Sequence, residues 1–229
     1  SAQGTGPWAR ETEVLLAERA ARQARHADVV ELPSHLSASS LVALARDPAR
    51  FTDELRRPMP SAPAGAARRG TAFHAWVESH YARAAFVDVL DLPGSADEDP
   101  MSDEELPAMR ERFLASPWAG RHPAEIETAL ETVIDGVAIR GRVDAVFADV
   151  EGADWVIVDW KTGRKPAGEA ARVRALQLAA YRVAWSRLRG VEPERVRGAF
   201  YYAGSGETVW PELVGEAEIS ALLSAVPGP

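Results

Sequence analysis

The spacing of apolar residues differs between the first and second halves of the chain. Up to about residue 115, apolar side chains recur every three to four residues, and this spacing predicts helices over residues 8–27, 40–55 and 71–85. The pair Asp47-Pro48 should divide the second helix, because proline lacks the N–H that a helix interior needs. From residue 124 onward apolar and polar residues alternate, which is typical of strands.

The alternating half of the chain predicts a sheet. Residues 124–133, 137–150 and 153–161 are predicted to form three consecutive antiparallel strands, because turn-forming residues separate them. A long helix follows and ends at Gly190, and residues 199–212 are predicted to add a further pair of strands before a closing helix. This order of elements indicates an α/β or α+β fold.

Charged residues interrupt the apolar pattern on the middle strand. Strict alternation predicts that Arg140, Arg142 and Asp144 share one face, with Val143 and Phe147 on the other. An aspartate placed on such a strand is either a functional residue or a turn and cap residue that happens to lie there. Taken singly, Asp144 fits the second description as well as the first.

The end of the third strand decides between these descriptions. Asp159 closes the apolar run WVIVD, where an unpaired charge is expensive to bury. Residues two apart on a strand share a face, so Lys161 should project beside Asp159, with Asp144 on the neighbouring strand. A lysine after a strand is usually solvated, but two carboxylates and an ammonium at one point call for a bound group. We therefore expect a divalent metal ion and a scissile phosphate there.

Phosphodiester hydrolysis would use these three side chains in different ways. Asp144 and Asp159 are predicted to ligate Mg²⁺ or Mn²⁺, hard cations that prefer oxygen ligands and accept a phosphate oxygen directly. Lys161 is predicted to orient or help to deprotonate the attacking water and to stabilise the charge that develops on the phosphate. All three are candidate catalytic residues.

Composition and charge limit the kinds of site and the cellular location to be expected of this chain. The chain has 229 residues, a formal net charge of −8 and no cysteine, so disulfides and cysteine-ligated zinc or iron–sulfur clusters are excluded. No apolar run reaches the roughly 18 residues of a membrane-spanning helix, so we expect no membrane association and a cytoplasmic location. The acidic balance argues against nucleic acid binding over the whole surface, though local basic clusters remain.

The motifs resemble one nuclease superfamily. GRVDAVF, followed by VDWKTG, is similar to the paired signature of the PD-(D/E)XK superfamily, and in particular to the RecB-type nuclease module of bacterial helicase–nucleases. The upstream RGTAFHAWVE, a glutamate in EIETALE and the later QLAAYR fit the same family. The resemblance implies a restriction-endonuclease-like core: a mixed sheet flanked by helices, with an antiparallel hairpin that carries the active site.

The resemblance also implies further site residues. His74 would be a metal ligand beside Asp144 and Asp159, and Glu127 a weaker candidate ligand with Glu125 and Glu131 as rivals. Gln177 and Tyr181 would complete the catalytic set by positioning the phosphate and the catalytic groups, since four-residue spacing places them on one helix face. The candidates for DNA contact are basic residues near these motifs, with solvated surface arginines as the alternative: Arg68, Arg69, Arg142, Arg164 and Lys165.

A finer resemblance links the chain to the nuclease domains of actinobacterial AdnA/AdnB helicase–nucleases. It implies that residues 1–36 are a helical lead-in from a preceding helicase domain and that residues 37–229 form the nuclease domain. The expected partners are DNA (single strands above all), a helicase motor in the same full-length chain and a second helicase–nuclease subunit. The expected role is double-strand break repair and recombination. Some relatives carry an iron–sulfur cluster, which this cysteine-free chain lacks.

Two other functions are open from the sequence. Degenerate nuclease folds serve as non-catalytic modules that guide DNA or dock subunits in helicase complexes, although such a module would be expected to lack metal ligands. A nuclease acting on duplex junctions or restriction sites is the third possibility, and such enzymes usually dimerise.

Overall fold

A computed structural model of the chain describes residues 12–19, 32–56, 65–85, 105–150 and 152–225. The helices are α1 (residues 12–19), α2 (Ala38–Arg46), α3 (Pro48–Arg56), α4 (Gly65–Ala85), α5 (Glu105–Leu114), α6 (Glu169–Arg189) and α7 (Glu216–Ser224). The strands are β1 (His35–Ser37), β2 (Glu125–Ile134), β3 (Val137–Val150), β4 (Ala153–Lys161), β5 (Val196–Tyr202) and β6 (Glu207–Val209).

Local sequence explains where several helices begin and end. Ser37 caps α2, because its hydroxyl oxygen accepts a hydrogen bond from the Ser40 N–H at 2.9 Å. The predicted division at Asp47-Pro48 is confirmed: α2 ends before Asp47, and α3 begins at Pro48. Gly190 ends α6 in the left-handed conformation (φ 64°) that glycine adopts without steric cost.

Helix α4 is longer than the predicted helix. It begins at Gly65, so residues 65–70, which precede the predicted helix, are also helical. This segment, GAARRG, is rich in alanine and arginine, which favour helix once the proline at position 63 has been passed. Arg68 and Arg69 therefore belong to the first turns of α4, although their side chains lie outside the described part.

The sheet is mixed, as predicted. Its strand order is β1-β3-β4-β5-β6, with β2 paired to β3. Strands β2, β3 and β4 form the predicted antiparallel meander, and β5 and β6 form the predicted antiparallel pair. Strand β5 runs parallel to β4, so α6 is the crossover between them.

Strand β1 lies between two predicted helices, in a segment for which the sequence pattern predicts no strand. It pairs in parallel with β3, from His35 opposite Ala138 to Ser37 opposite Arg140. Because β2 occupies the other edge of β3, β1 and β4 share one edge, and β4 pairs only with residues 145–150. Within the described part of the chain, residues 141–144 of β3 therefore have no strand on that edge. The expected domain boundary after residue 36 falls within β1.

Helices cover both faces of the sheet, and each face has its own core. Helices α2, α6 and α7 enclose the first core, whose buried members include Leu41, Val143, Leu178, Trp185 and Ile219. Helices α4 and α5 enclose the second core, which is rich in aromatic residues and includes Phe73, Phe113, Phe147, Trp160 and Tyr201. This three-layer arrangement confirms the predicted mixed α/β fold.

The side-chain alternation of β3 changes in the middle of the strand. Val143 packs in the first core and Phe147 in the second, so the prediction that they share a face is wrong. Asp144 is also buried, whereas Arg140 and Arg142 are exposed. The change coincides with Asp144, which has no paired residue on either neighbouring strand. Strict alternation holds only while the ladder is regular.

Candidate active site

The predicted site residues meet beside residues 141–144 of β3, the segment with no described strand on one edge. Asp144 stands at the point where β4 separates from β3, and its Oδ2 accepts a hydrogen bond from the Trp160 N–H at 2.6 Å. The carboxylate thus takes the place of a ladder carbonyl. Only 8% of Asp144 is exposed, so this bond holds the side chain in one position at the floor of the site.

His74 reaches the same point from α4. Its Nε2 lies 3.0 Å from the Trp160 carbonyl oxygen. A carbonyl can only accept, so Nε2 donates, and Nδ1 faces Asp144 Oδ1 at 3.4 Å. In the neutral ring this leaves the Nδ1 lone pair directed into the site. A carbonyl that fixes the imidazole in this way is the usual arrangement behind a metal-ligating histidine.

Three potential ligand atoms converge here. His74, Glu127 and Asp144 each offer one atom, and these atoms all lie within 4.8 Å of one another. One imidazole nitrogen and two carboxylate oxygens form a donor set that suits a divalent cation. The two rival glutamates are engaged elsewhere: Glu125 pairs with Arg189 at 3.1 Å and Glu131 with Arg140 at 2.6 Å.

The backbone of Glu127 has an unusual conformation. Its φ of +47° lies in the left-handed region, which costs a non-glycine residue on the order of 1–3 kcal/mol. Glu127 is the β2 residue that lies across from Asp144, where the ladder is interrupted. Positive-φ residues cluster at functional sites, and this one has its side chain in the ligand group.

The electrostatics of the group favour added positive charge. Burial disfavours the imidazolium of His74, but its hydrogen bond to Asp144 and the charges of Asp144 and Asp159 outweigh burial and raise its pKa. Burial, and then the charge of Asp144, raises the pKa of Glu127. Both groups therefore bind protons more tightly than usual, which is expected of metal ligands when protons take the place of the cation.

Asp159 and Lys161 lie together, but they form a different kind of contact. Lys161 Nζ lies 2.5 Å from Asp159 Oδ2, and this oxygen accepts no well-aligned hydrogen bond, so the contact is ionic. Burial raises the pKa of Asp159 to about 6, although the charge of Lys161 opposes the shift. Asp159 is not a member of the ligand group formed by the described residues. Its role as a metal ligand stays a prediction.

A chain of hydrogen bonds fixes Lys161 from the other side. Lys161 Nζ donates to Gln177 Oε1 at 3.2 Å, and Gln177 Nε2 donates to the Tyr181 hydroxyl at 3.2 Å. Since an ammonium only donates, the first bond also sets which end of the Gln177 amide faces Tyr181. Burial raises the pKa of Tyr181 to about 12, so its hydroxyl stays neutral.

Gly141 makes room for this chain. A Cβ built on Gly141 would lie 2.5 Å from Cε1 and 2.6 Å from the hydroxyl oxygen of Tyr181. The tyrosine ring therefore rests on the bare backbone of β3, in the segment without a neighbouring strand. Sequence reasoning missed this contact, although the glycine stands three residues before Asp144 within GRVDAVF.

Of the candidates for DNA contact, two have acidic partners. Arg142 Nη1 lies 3.7 Å from Glu127 Oε2, and Lys165 Nζ lies 2.6 Å from Glu207 Oε1. Arg164 is exposed. A cleft of about 380 Å³ opens beside the ligand group and is lined by Gly70, Thr71, His74, Ala75, Glu78 and Glu127.

The family of the chain follows from its sequence profile. The profile of the PD-(D/E)XK nuclease superfamily matches residues 35–223. The chain belongs to this superfamily. The match begins at the first residue of β1 and ends within α7, so all six strands and both cores of this PD-(D/E)XK domain lie inside it.

Other comparisons add less. No curated protein sequence matches this PD-(D/E)XK chain. It is similar to a solved structure titled "Crystal structure of SSO0001", with 17% identity, a TM-score of 0.41, and coverage of 94% of this chain and 84% of that one. A likeness of this size says nothing about function. Among the described residues, no helix has the length and apolar character needed to span a membrane.

Proposed function

We propose that this protein is a deoxyribonuclease that hydrolyses phosphodiester bonds with the help of Mg²⁺ or Mn²⁺. The observation that carries the proposal is the ligand group of His74, Glu127 and Asp144, placed beside an ammonium that two neighbours hold in position. Because the fold opens β3 at this point and the superfamily is one of nucleases, a phosphodiester is the substrate that best suits the site.

The residues of the site divide the work of hydrolysis. Water attacks phosphorus, the bond to the leaving oxygen breaks, and the water proton has to be removed. A divalent cation at the ligand group would stabilise negative charge on the phosphate and lower the pKa of a bound water. Lys161, ion-paired to Asp159 and bonded to Gln177, supports the role of a cation that orients the water and offsets phosphate charge.

The finer parts of the proposal concern the setting. We propose that the substrate is a DNA single strand fed by a helicase motor in the same full-length chain, in a complex with a second subunit that processes double-strand breaks. The motifs around His74, Gln177 and Tyr181 support this through their resemblance to RecB-type modules. Helix α1, which exposes Val14 and Leu15 at 58% and 60%, suits a lead-in segment that packs on a neighbouring domain.

The test is cleavage of a labelled single-stranded oligonucleotide in Mn²⁺ or Mg²⁺. Asp144→Asn keeps an oxygen for the Trp160 N–H but removes the ligand charge, and Lys161→Ala removes the ammonium. Each should lower kcat by about 10³-fold. Glu131→Gln is the matched control, because Glu131 pairs with Arg140 on the surface and should leave the rate unchanged. A cleavage rate of Asp144→Asn within about tenfold of the wild-type rate would contradict the proposed mechanism.

Two other outcomes would point elsewhere. DNA binding without cleavage in any divalent cation would indicate a non-catalytic module that guides DNA or docks subunits. Cleavage restricted to duplex junctions, by a dimer, would indicate a junction nuclease. An oligonucleotide panel and light scattering distinguish these outcomes from the proposed activity.

A further inference from the structure

One side of α6 faces the site with three polar residues. Residues three, four and seven apart lie on the same side of a helix, which groups Arg174, Gln177 and Tyr181. Tyr181 contacts Gly141, and Gln177 bonds to Lys161, so this side of α6 looks toward the open segment of β3. Arg174 lies one turn before Gln177 on the same side, at the end of α6 where the chain has just left β4.

Arg174 is unusual among the arginines of α6. Its Nε is buried and has no hydrogen-bond acceptor, and no carboxylate of the described residues lies within ion-pair distance of it. Arg172, by contrast, lies 3.6 Å from Glu169. Arg182 also has a buried Nε without an acceptor, but its Nη2 donates to the Leu213 and Val214 carbonyls. Arg174 therefore combines a buried donor without an acceptor and a charge without an acidic partner among the described residues, which suits an anionic ligand.

The surroundings of Arg174 place its charge near the catalytic lysine. Strand β5 pairs Tyr202 with Lys161. Burial raises the pKa of Tyr202, and the Arg174 charge opposes that shift while Asp159 and Glu207 add to it. Tyr202 packs in the first core, which α6 covers, so the Arg174 charge acts on the α6 side of the sheet, at the ends of β4 and β5 where Asp159 and Lys161 stand.

We propose that Arg174 binds a backbone phosphate of the DNA strand next to the scissile phosphate. This inference rests on the proposed nuclease function and adds a residue that fixes the strand across the site. A guanidinium binds phosphate oxygens through two parallel N–H donors and stays charged when partly buried. The buried Nε of Arg174 then gains the acceptor that the protein does not supply.

The electrostatics of the chain support a dedicated residue for this task. With a net charge of −8, the protein as a whole repels DNA, so phosphates have to be held by individual cations. Arg142 and Lys165 lie within ion-pair distance of Glu127 and Glu207, and DNA would have to compete with these carboxylates. Arg174 has no such competitor among the described residues.

The experiment measures binding apart from cleavage. Wild type, Arg174→Ala, Arg174→Lys and Arg172→Ala are titrated with a fluorescent 20-nucleotide oligo-dT in EDTA, at several salt concentrations, with thermal unfolding as a check on folding. Arg172 is the matched control, because it lies on the same helix with a side chain that is 84% exposed. Arg174→Ala should weaken binding about 10- to 100-fold, and Arg172→Ala less than about twofold.

Salt dependence separates a phosphate contact from a structural effect. Losing one phosphate contact should reduce the slope of log K against log salt by about 0.7 for a single strand, whereas Arg174→Lys should keep the slope and recover part of the affinity. In cleavage assays Arg174→Ala should raise KM more than it lowers kcat. If Arg174→Ala and Arg172→Ala match in affinity and slope, the inference is wrong, even if wild type cleaves DNA.

The same measurements distinguish failure of the phosphate contact from failure of the proposed nuclease function. Arg174-dependent binding by a wild-type protein that cleaves nothing would refute the nuclease proposal and leave the phosphate contact standing. If Arg174→Ala does not fold, Arg174→Lys decides: weaker affinity at an unchanged salt slope supports the phosphate contact, because lysine keeps the charge but lacks the two parallel donors, and affinity and KM equal to those of wild type refute it. A wild-type protein that fails to bind the oligonucleotide at any salt concentration overturns the inference.

Discussion

The two walls of the site are built in opposite ways. The metal wall, formed by His74, Glu127 and Asp144, brings three potential ligand atoms within 4.8 Å of one another. The relay wall, formed by Lys161, Gln177 and Tyr181, has a hydrogen bond between each member and the next. One wall presents a group of electron-pair donors that face one another, and the other is a chain of paired donors and acceptors.

This difference separates binding from preorganisation. Acceptors that face one another repel unless a cation or protons lie between them, so the metal wall can gain free energy only when something binds. Donors already fixed by neighbours need no rearrangement during the reaction, which is what makes electrostatic catalysis effective. The backbone of Trp160 connects the walls, since it bonds to both His74 and Asp144 on the strand that ends in Lys161.

The largest expected effect comes from loading the metal wall. Mn²⁺ at a hundred times its dissociation constant should raise the melting temperature at pH 8 by about 5–10 °C, and should have little effect at pH 5. The pKa of both His74 and Glu127 is raised, so protons compete with the metal increasingly as pH falls. Thermal unfolding from pH 5 to pH 8, with and without Mn²⁺, measures this.

Without added metal, the stability of the folded protein should fall as pH rises from about 4 to 6, whereas the stabilisation by Mn²⁺ should grow with pH. Thermal unfolding in EDTA over this pH range measures the effect. Burial raises the pKa of Asp159 from its ordinary 3.8 to about 6, so the folded state binds this proton more tightly than the unfolded state does. The contribution of Asp159 to stability is therefore greatest below pH 4 and is lost as pH rises toward 6.

Asp144→Asn is the control for the Mn²⁺ experiment. A Mn²⁺-induced rise in melting temperature that persists in this variant would show that the ion binds elsewhere.

A smaller effect is expected from breaking the relay wall at Gly141. Gly141→Ala puts a methyl group 2.5 Å from the Tyr181 ring, which should cost about 1–3 kcal/mol of unfolding free energy and lower kcat by misplacing Gln177 and Lys161. Urea unfolding and cleavage rates measure the two effects. In a Tyr181→Ala background the same change should cost little, and an additive double variant would show that ring and glycine do not interact.

The smallest effect is expected at the other motif glycine. A Cβ on Gly70 would meet only Thr162 Oγ1, at an ordinary 3.6 Å. Because Gly70 lies within α4, where alanine is favoured over glycine, Gly70→Ala should not destabilise the protein and should stabilise it by at most about 1 kcal/mol. Gly70 lines the cleft beside the metal wall, where DNA rather than protein would contact the methyl group. A destabilisation as large as that of Gly141→Ala would contradict this distinction between the two glycines.

Sequence patterns predicted the regular parts of the molecule. The antiparallel meander, α6 with its terminal Gly190 and the division at Asp47-Pro48 all follow from local periodicity and residue conformational preference. The meeting of Asp144, Asp159 and Lys161 was also accessible, because hairpin register and two-residue alternation bring them to one place.

The irregular parts depended on contacts that local patterns do not encode. Strand β1 has three residues, and its partner on β3 lies about a hundred positions away. Neither a hairpin turn nor a hydrophobic alternation therefore predicts it. The change of faces between Val143 and Phe147 arises where the ladder breaks at Asp144. Asp159 lies outside the ligand group formed by the described residues and is ion-paired with Lys161. Alternation places the two side chains together but does not determine whether the carboxylate faces a metal ion or the ammonium.

The position of β1 has a consequence for any attempt to isolate the domain. Ala138–Arg140 would lose their partners on that edge if the polypeptide began after Ser37, and an exposed strand edge pairs readily with other molecules. The short first strand thus acts as a cover against self-association, at the far end of the same edge that opens to form the site. A fragment that keeps this edge of the PD-(D/E)XK domain covered has to start upstream of His35.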